Sequence, residues 1–305
     1  MAGSPWPARS ERVASLVRFA PELGRWLTQS LDRGQTPQAL LDTMRRQGMD
    51  ARAARAIVGA FVDARGRGQP APVDHVELPG HETPAAPARL APGTRLRAAG
   101  REILVHARAD DPVFATLGNV LDADECAALI GMARPRLKPS TLVDPATGLD
   151  IVSDRRTSYG MFFRPAENDF IAALDRRLSA LMNQPPENGE GLQVLHYPAG
   201  GGSEPHFDYL QPTNAANRES VSRSGQRVST LVTYLNDVPA GGQTVFPVLG
   251  WAVSPLRGNA VYFEYCDEAG RVDPRSLHAS APVTQGEKWV ATKWMRQRRF
   301  VPAAS

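Results

Sequence analysis

Five short runs rich in β-branched and aromatic residues dominate the C-terminal part of this chain: Leu192–Tyr197, Val228–Tyr234, Ala260–Phe263, Leu277–Val283 and Trp289–Met295. Turn residues separate them at Gly200–Gly202, Gly241-Gly242, Arg257-Gly258 and Gln285-Gly286. Strands this short and this evenly punctuated predict a sandwich or jelly roll. Amphipathic helices accompany them. Asp122 to Glu125 form a capping box that opens a helix through Ala133, and Asn168 caps another with Ile171, Leu174, Leu178 and Leu181 on one face. Arg95–Ala107 alternates about Gly100 as a hairpin. The polar segment Gln211–Gln226 has no apolar period and reads as a long loop of the kind that serves as a lid.

The N-terminal part differs. Ser10–Gly66 reads as helical throughout, with Leu23, Trp26, Leu27 and Leu31 at helical spacing. Thr36-Pro37 is a cap followed by Pro at the first helical position, Gly48 stops that helix, and Asp50 caps the next. Gly66–Pro92 then scatters six prolines among Ala and Gly without periodicity. The expected organisation is a small helical bundle over residues 1–66, a Pro/Ala-rich linker over 67–92 and a jelly-roll domain over 93–305. The fold class is α+β: a sandwich or jelly-roll core with flanking helices, preceded by a small all-α domain. The bundle is expected to dock a partner or self-associate. No base-reading residues stand out in it, which argues against nucleic acid.

Composition narrows the function classes. A net charge of +3 over 305 residues gives no reason to expect a polyanionic partner, and no apolar run reaches the length of a membrane span. Met1–Pro7 is followed by Arg9, Glu11 and Arg12 rather than an apolar core, so no signal peptide is expected. With two cysteines only, Cys126 and Cys266, a reducing cytoplasm is the expected setting, and a disulfide between them is disfavoured.

Within Leu192–Leu210 stands His206-Phe207-Asp208. Alternate residues of an extended chain share a face, so His206 and Asp208 aim at one point while Phe207 packs behind. An isolated H-x-D is most often two polar residues facing water. Here Gly200–Gly202 precedes it, and a second imidazole, His278, follows on a later strand. Two His and one carboxylate are the facial set that leaves three positions open on Fe(II). Lys288 lies ten residues beyond His278, with Val290, Thr292 and Trp294 alternating onto its face. A buried ammonium there suits the far carboxylate of a 2-oxo dicarboxylate chelated to the metal, with Thr244, Thr292 and Tyr197 as neighbouring hydroxyls.

The blocks HFDYL, STLVTYLNDVPAGGQTVFP and SLHASAPVTQGEKWVATKW follow DADECAALIGMAR, RRTSYGMFF and EGLQVLHYPAGG. In order and spacing they resemble the catalytic domain of the prolyl 4-hydroxylase family of 2-oxoglutarate- and Fe(II)-dependent dioxygenases. The resemblance covers roughly Asp111–Phe300 and stops short of Ser10–Gly66. It implies a double-stranded β-helix (jelly-roll) core in which His206, Asp208 and His278 bind Fe(II), Lys288 holds the distal carboxylate of 2-oxoglutarate beside Thr244, and Tyr197 lines the same pocket. Arg156, Ser158, Glu190 and Trp294 fall where related enzymes touch a peptide substrate, and Gln211–Gln226 would fold over it. O2 is the second co-substrate, ascorbate a further ligand, and succinate and CO2 the co-products. The implied activity is hydroxylation of a peptidyl proline. The same chemistry on a free amino acid or another small molecule, or a non-catalytic metal-binding jelly roll, are the alternatives.

Overall fold

The computed structural model describes residues 16–77, 88–143, 150–152, 157–211, 214–267 and 270–303. Met1–Pro84 forms one compact unit and Ala85–Ser305 a second. In the first, helices α1 (Pro21–Asp32), α2 (Pro37–Arg46) and α3 (Ala51–Gly66) pack around Leu27, Leu40, Met44, Ile57 and Phe61. The caps lie where local chemistry sets them. Thr36 Oγ1 accepts from Ala39 N at 3.3 Å, Asp50 Oδ1 accepts from Ala53 N at 3.0 Å, and Gly48 takes φ +85°.

This unit is not all helix. Strand β1 (Leu16–Arg18) pairs antiparallel with β2 (His75–Glu77), inside a stretch read as helical and a stretch read as linker. Val17 and Val76, opposite each other in the register, pack onto the helical core. A pairing between segments so far apart in sequence leaves no local periodicity to read. Residues 10–15 and 78–87 of those stretches lie outside the described residues.

The second unit begins with the expected hairpin. Strands β3 (Arg95–Ala98) and β4 (Arg101–Asp110) turn through Ala99 and Gly100, at φ +48° and +83°. Then follow β5 (Val113–Gly118), helix α4 (Ala123–Ala133), β6 (Lys138–Pro139), β7 (Thr141–Val143), β8 (Asp150–Val152) and β9 (Tyr159–Phe162). Next come α5 (Asp169–Leu181), β10 (Gln193–Tyr197), β11 (Ser203–His206), α6 (Ala215–Ser224) and β12 (Arg227–Tyr234). The remainder is strand: β13 (Ala240–Gly241), β14 (Thr244–Phe246), β15 (Trp251–Val253), β16 (Ala260–Glu264), β17 (His278–Ser280), β18 (Val283–Gln285) and β19 (Lys288–Arg296). The capping box at Asp122/Glu125 and the Asn168 cap both form.

Nine strands make the large antiparallel sheet, in the order β3-β4-β5-β16-β12-β19-β10-β9-β6, and four make the small one, β11-β17-β14-β15. Phe246 of β14 meets Phe114 and Phe263 of the large sheet edge-on, at 4.8 and 5.2 Å between centroids. Helices cover the other face of the large sheet. Lys293 of β19 is buried there against Asp175 of α5, Nζ to Oδ1 2.7 Å, and Ser179 faces Met295. Strand β19 is therefore buried on both faces. Two antiparallel sheets packed face to face, with helices outside, are consistent with a jelly-roll core.

Two local expectations need correcting. Leu277–Val283 is not one strand. Pro282 has no amide hydrogen for the ladder, and the run divides into β17 and β18. Gln211–Gln226 is not all loop either, for α6 occupies Ala215–Ser224. Asn214 Oδ1 caps its start at 2.8 Å from Asn217 N, and guanidinium groups from β19 and the chain just after it bind its last carbonyls. With support from caps and tertiary contacts, the helix needs no apolar stripe.

Candidate active site

Strands β11 and β17 run antiparallel with His206 opposite His278. Asp208 follows two residues after His206, and the three side chains bring ligand atoms within 4.8 Å of one another. The imidazoles are tilted with centroids 4.4 Å apart, and His278 Nε2 lies 3.6 Å from Asp208 Oδ2. His206 Nδ1 sits 2.9 Å from the carbonyl oxygen of Glu204, and His278 Nδ1 3.0 Å from that of Ser276. A carbonyl only accepts, so each Nδ1 carries the proton and donates it. Nε2 is then the atom each imidazole would offer a metal.

Asp208 Oδ2 accepts from Thr230 Oγ1 at 2.7 Å, and Thr230 in turn meets the Tyr265 hydroxyl at 2.9 Å. Burial raises the Asp208 pKa. The imidazoles of His278 and His206, with Arg227 and Thr230, outweigh it and bring the carboxyl down to about 2.

These groups open on a narrow cleft between the sheets. Alternation along the central strands lines it: Gln193, Leu195 and Tyr197 from β10, and Lys288, Val290, Thr292 and Trp294 from β19. Tyr197 stands opposite Lys288 in the register. Lys288 is 2% exposed. Its Nζ donates to Ser280 Oγ at 2.9 Å and lies 5.3 and 5.7 Å from the ring centroids of Tyr197 and Tyr234. Among the described residues no carboxylate pairs with it, and burial pulls its pKa down to about 7. Thr244 lines the same cleft and accepts from the Tyr234 hydroxyl at 2.8 Å.

Of the four residues tied to a peptide substrate, Trp294 lines the cleft, with the Arg227 guanidinium 4.1 Å from its ring centroid. Glu190 is engaged internally. Arg227 Nε and Nη2 donate to its two oxygens at 2.6 and 2.7 Å, and Arg296 Nη1 donates at 3.0 Å. Burial opposes its charge, yet Arg227 and Arg296 hold the carboxyl below the usual range. Ser158 is buried and donates to Ser140 Oγ at 3.0 Å, and it is not among the residues lining the cleft. Arg156 lies outside the described residues. Sequence reasoning missed Ser280, Thr230, Tyr234 and Arg227. Ser280 was the most legible, two residues from His278 on one strand and so on the same face; the others meet the site only across strands.

A family model described as the 2OG-Fe(II) oxygenase superfamily matches residues 192–296. Prolyl 4-hydroxylase 1 of Arabidopsis thaliana is 41% identical over 202 residues, spanning 61% of this chain and 70% of that protein. The chain belongs to the prolyl 4-hydroxylase family. Prolyl 4-hydroxylase 5 of the same plant is 37% identical over 210 residues, spanning 62% of this chain and 70% of that one. A viral collagen prolyl hydroxylase from Paramecium bursaria Chlorella virus-1, solved with 2OG, superposes with a TM-score of 0.48 at 26% identity over 60% of this chain and 95% of that chain.

The chain is thus a 2-oxoglutarate- and Fe(II)-dependent dioxygenase of prolyl hydroxylase type. The residues present fit both groups. Two Nε2 lone pairs and a carboxylate held ionised suit a divalent cation with open positions. A buried ammonium without a carboxylate suits the distal end of a dicarboxylate. When bound, iron, 2-oxoglutarate and O2 together supply the oxidising power for C–H hydroxylation, with succinate and CO2 released. The protein's own part is positional. Glu204 and Ser276 fix the imidazoles, Thr230 fixes the carboxylate, and Lys288 with Ser280 and Thr244 would hold the co-substrate's far end. Leu195, Val232 and Val290 give the cleft between them an apolar lining.

Proposed function

We propose that this dioxygenase hydroxylates a prolyl residue within a peptide or protein, with His206, Asp208 and His278 holding Fe(II) and Lys288 and Thr244 holding 2-oxoglutarate against Tyr197. The observation that carries the assignment is the convergence of two Nε2 lone pairs and an ionised carboxylate in the cleft whose lining includes the buried Lys288. The peptidyl substrate is supported by relatives named as prolyl 4-hydroxylases and by the open aromatic end of the cleft. There Phe162, 52% exposed, lies 6.3 Å from Trp294 between ring centroids. Aromatic faces of this kind suit a proline ring. Trp294 is assigned to that end, and Glu190 acts on it through Arg227 rather than directly. Ascorbate is assigned as a reductant that maintains the ferrous state. A cytoplasmic setting is supported by Cys126 and Cys266, both free and buried. The Met1–Pro84 unit is assigned to docking or self-association, outside the reaction itself.

The test incubates the full chain with Fe(II), 2-oxoglutarate and a peptide pool, and maps a gain of one oxygen by mass spectrometry. Hydroxyproline should form, and Asp208→Ala and His278→Ala should abolish it. Undiminished hydroxylation in His278→Ala overturns the ligand assignment, and succinate release with oxygen found only on a small molecule overturns the peptidyl one.

A further inference from the structure

A buried polar cluster joins helix α6 to the segment that carries Asp208. Arg227 and Arg296 face each other across β12 and β19, a pairing of like charges that a sheet normally avoids. Glu190 bridges them through Arg227 Nε and Nη2 and Arg296 Nη1. Its own backbone is tied to β19, because Glu190 N donates to Trp294 O at 3.0 Å and Lys293 Nζ donates to Glu190 O at 2.6 Å. The bridge therefore cannot drift.

The cluster has two arms. On one side Arg227 Nη1 donates to the main-chain oxygen of Asp208 at 3.1 Å. On the other, Arg296 grips the end of α6: Nη2 donates to Ser220 O at 2.8 Å, and Nε and Nη2 donate to Gly225 O at 3.0 and 2.6 Å. Arg296 is 1% exposed, so a full guanidinium is buried to make these contacts. Gly225 is required beneath it, at φ +72° and with a Cβ position only 2.7 Å from Gln297 Cβ. The segment carrying α6 is also closed at its base, where the Gln226 side chain accepts from Leu210 N at 2.7 Å and donates to Leu210 O at 2.8 Å. Asp208 and α6 thus belong to one excursion between β11 and β12, held at both ends.

We infer that Arg296 is a positioning residue that latches α6 and, through Glu190 and Arg227, holds the Asp208 main chain in its metal-binding place. The inference rests on the assignment of Asp208 as a ligand. The planar fork does what a point charge cannot: it satisfies a carboxylate and two carbonyls at once. Arg296→Lys keeps a charge for Glu190 and loses the grip on α6.

The test compares the parent chain with Arg296→Lys and Arg296→Met. Cleavage within 211–226 under limited proteolysis should rise about tenfold or more in both. Loss of outer support typically weakens metal binding by ~10–100-fold, so the dissociation constant for Co(II), followed by its visible absorption, should rise roughly tenfold. The KM for 2-oxoglutarate, set at Lys288, should stay within about twofold of the parent, which general loosening of the fold would not allow. Unchanged cleavage in both variants overturns the latch, and increased cleavage with unchanged Co(II) affinity overturns its link to Asp208. A parent chain that fails to bind Co(II) refutes the ligand assignment instead, and the proteolysis arm still decides the latch.

Discussion

Burying the Lys288 ammonium without a carboxylate costs the fold stability, and the pKa shift gives its size. Burial lowers its pKa from 10.5 to about 7. The unfolded chain therefore keeps the proton up to pH 10.5, while the native state releases it near 7. Between those values the unfolded state binds more protons, so stability rises with pH; below 7 both states are protonated and the penalty is complete. The interval from 10.5 to about 7 corresponds to about 5 kcal/mol. Lys288→Met keeps the length of the side chain and removes the charge. It also leaves Ser280 without its donor, a loss of about 1–2 kcal/mol. The variant should be about 3 kcal/mol more stable than the parent at pH 6, and most of that advantage should vanish by pH 9, where only about 2 kcal/mol of the penalty remains. The assay is guanidinium unfolding of the metal-free chain at both pH values, following the transition of the Ala85–Ser305 unit. The same variant should lose 2-oxoglutarate turnover. In the parent, the KM for 2-oxoglutarate should climb toward tenfold per pH unit above 7, because binding must then take up a proton. A variant less stable than the parent at pH 6, or an advantage that does not shrink with pH, would show that Lys288 is not buried as a lone ammonium.

Three further outcomes follow from contacts around the cleft. Ser280→Ala removes the hydroxyl that Lys288 Nζ meets at 2.9 Å and should raise the KM for 2-oxoglutarate about fivefold with kcat nearly unchanged, measured by succinate release. Thr230→Val strips the hydrogen bond from Asp208 Oδ2 and should weaken Co(II) binding by ~10-fold in a spectroscopic titration while leaving the far-ultraviolet circular dichroism unaltered. Asp175→Ala leaves Lys293 buried with only the Glu190 carbonyl oxygen, and should cost about 3–5 kcal/mol in denaturant unfolding; a loss below 1 kcal/mol contradicts the burial of that pair.

Local chemistry was enough to write much of this molecule in advance. The caps at Thr36, Asp50, Asp122 and Asn168 lie within a few residues of the amides they satisfy, and all four form. The alternation of Lys288, Val290, Thr292 and Trp294 is a property of an extended chain, and all four line the cleft. His206 and Asp208 were legible for the same reason, and His278 was placed with them by the order of the surrounding blocks. What local chemistry cannot encode is which distant partner a side chain will meet. The pairing of β1 with β2, the helix α6 held from β19, and the capture of Glu190 by Arg227 and Arg296 all join segments remote in sequence. Sequence alone set the type of each element and the chemistry carried on each strand. Only tertiary packing decided that Lys288 would be left dry and without a carboxylate, and Glu190 claimed by two guanidiniums. Both outcomes depend on what is buried beside them, and burial is a property of the assembled sheets.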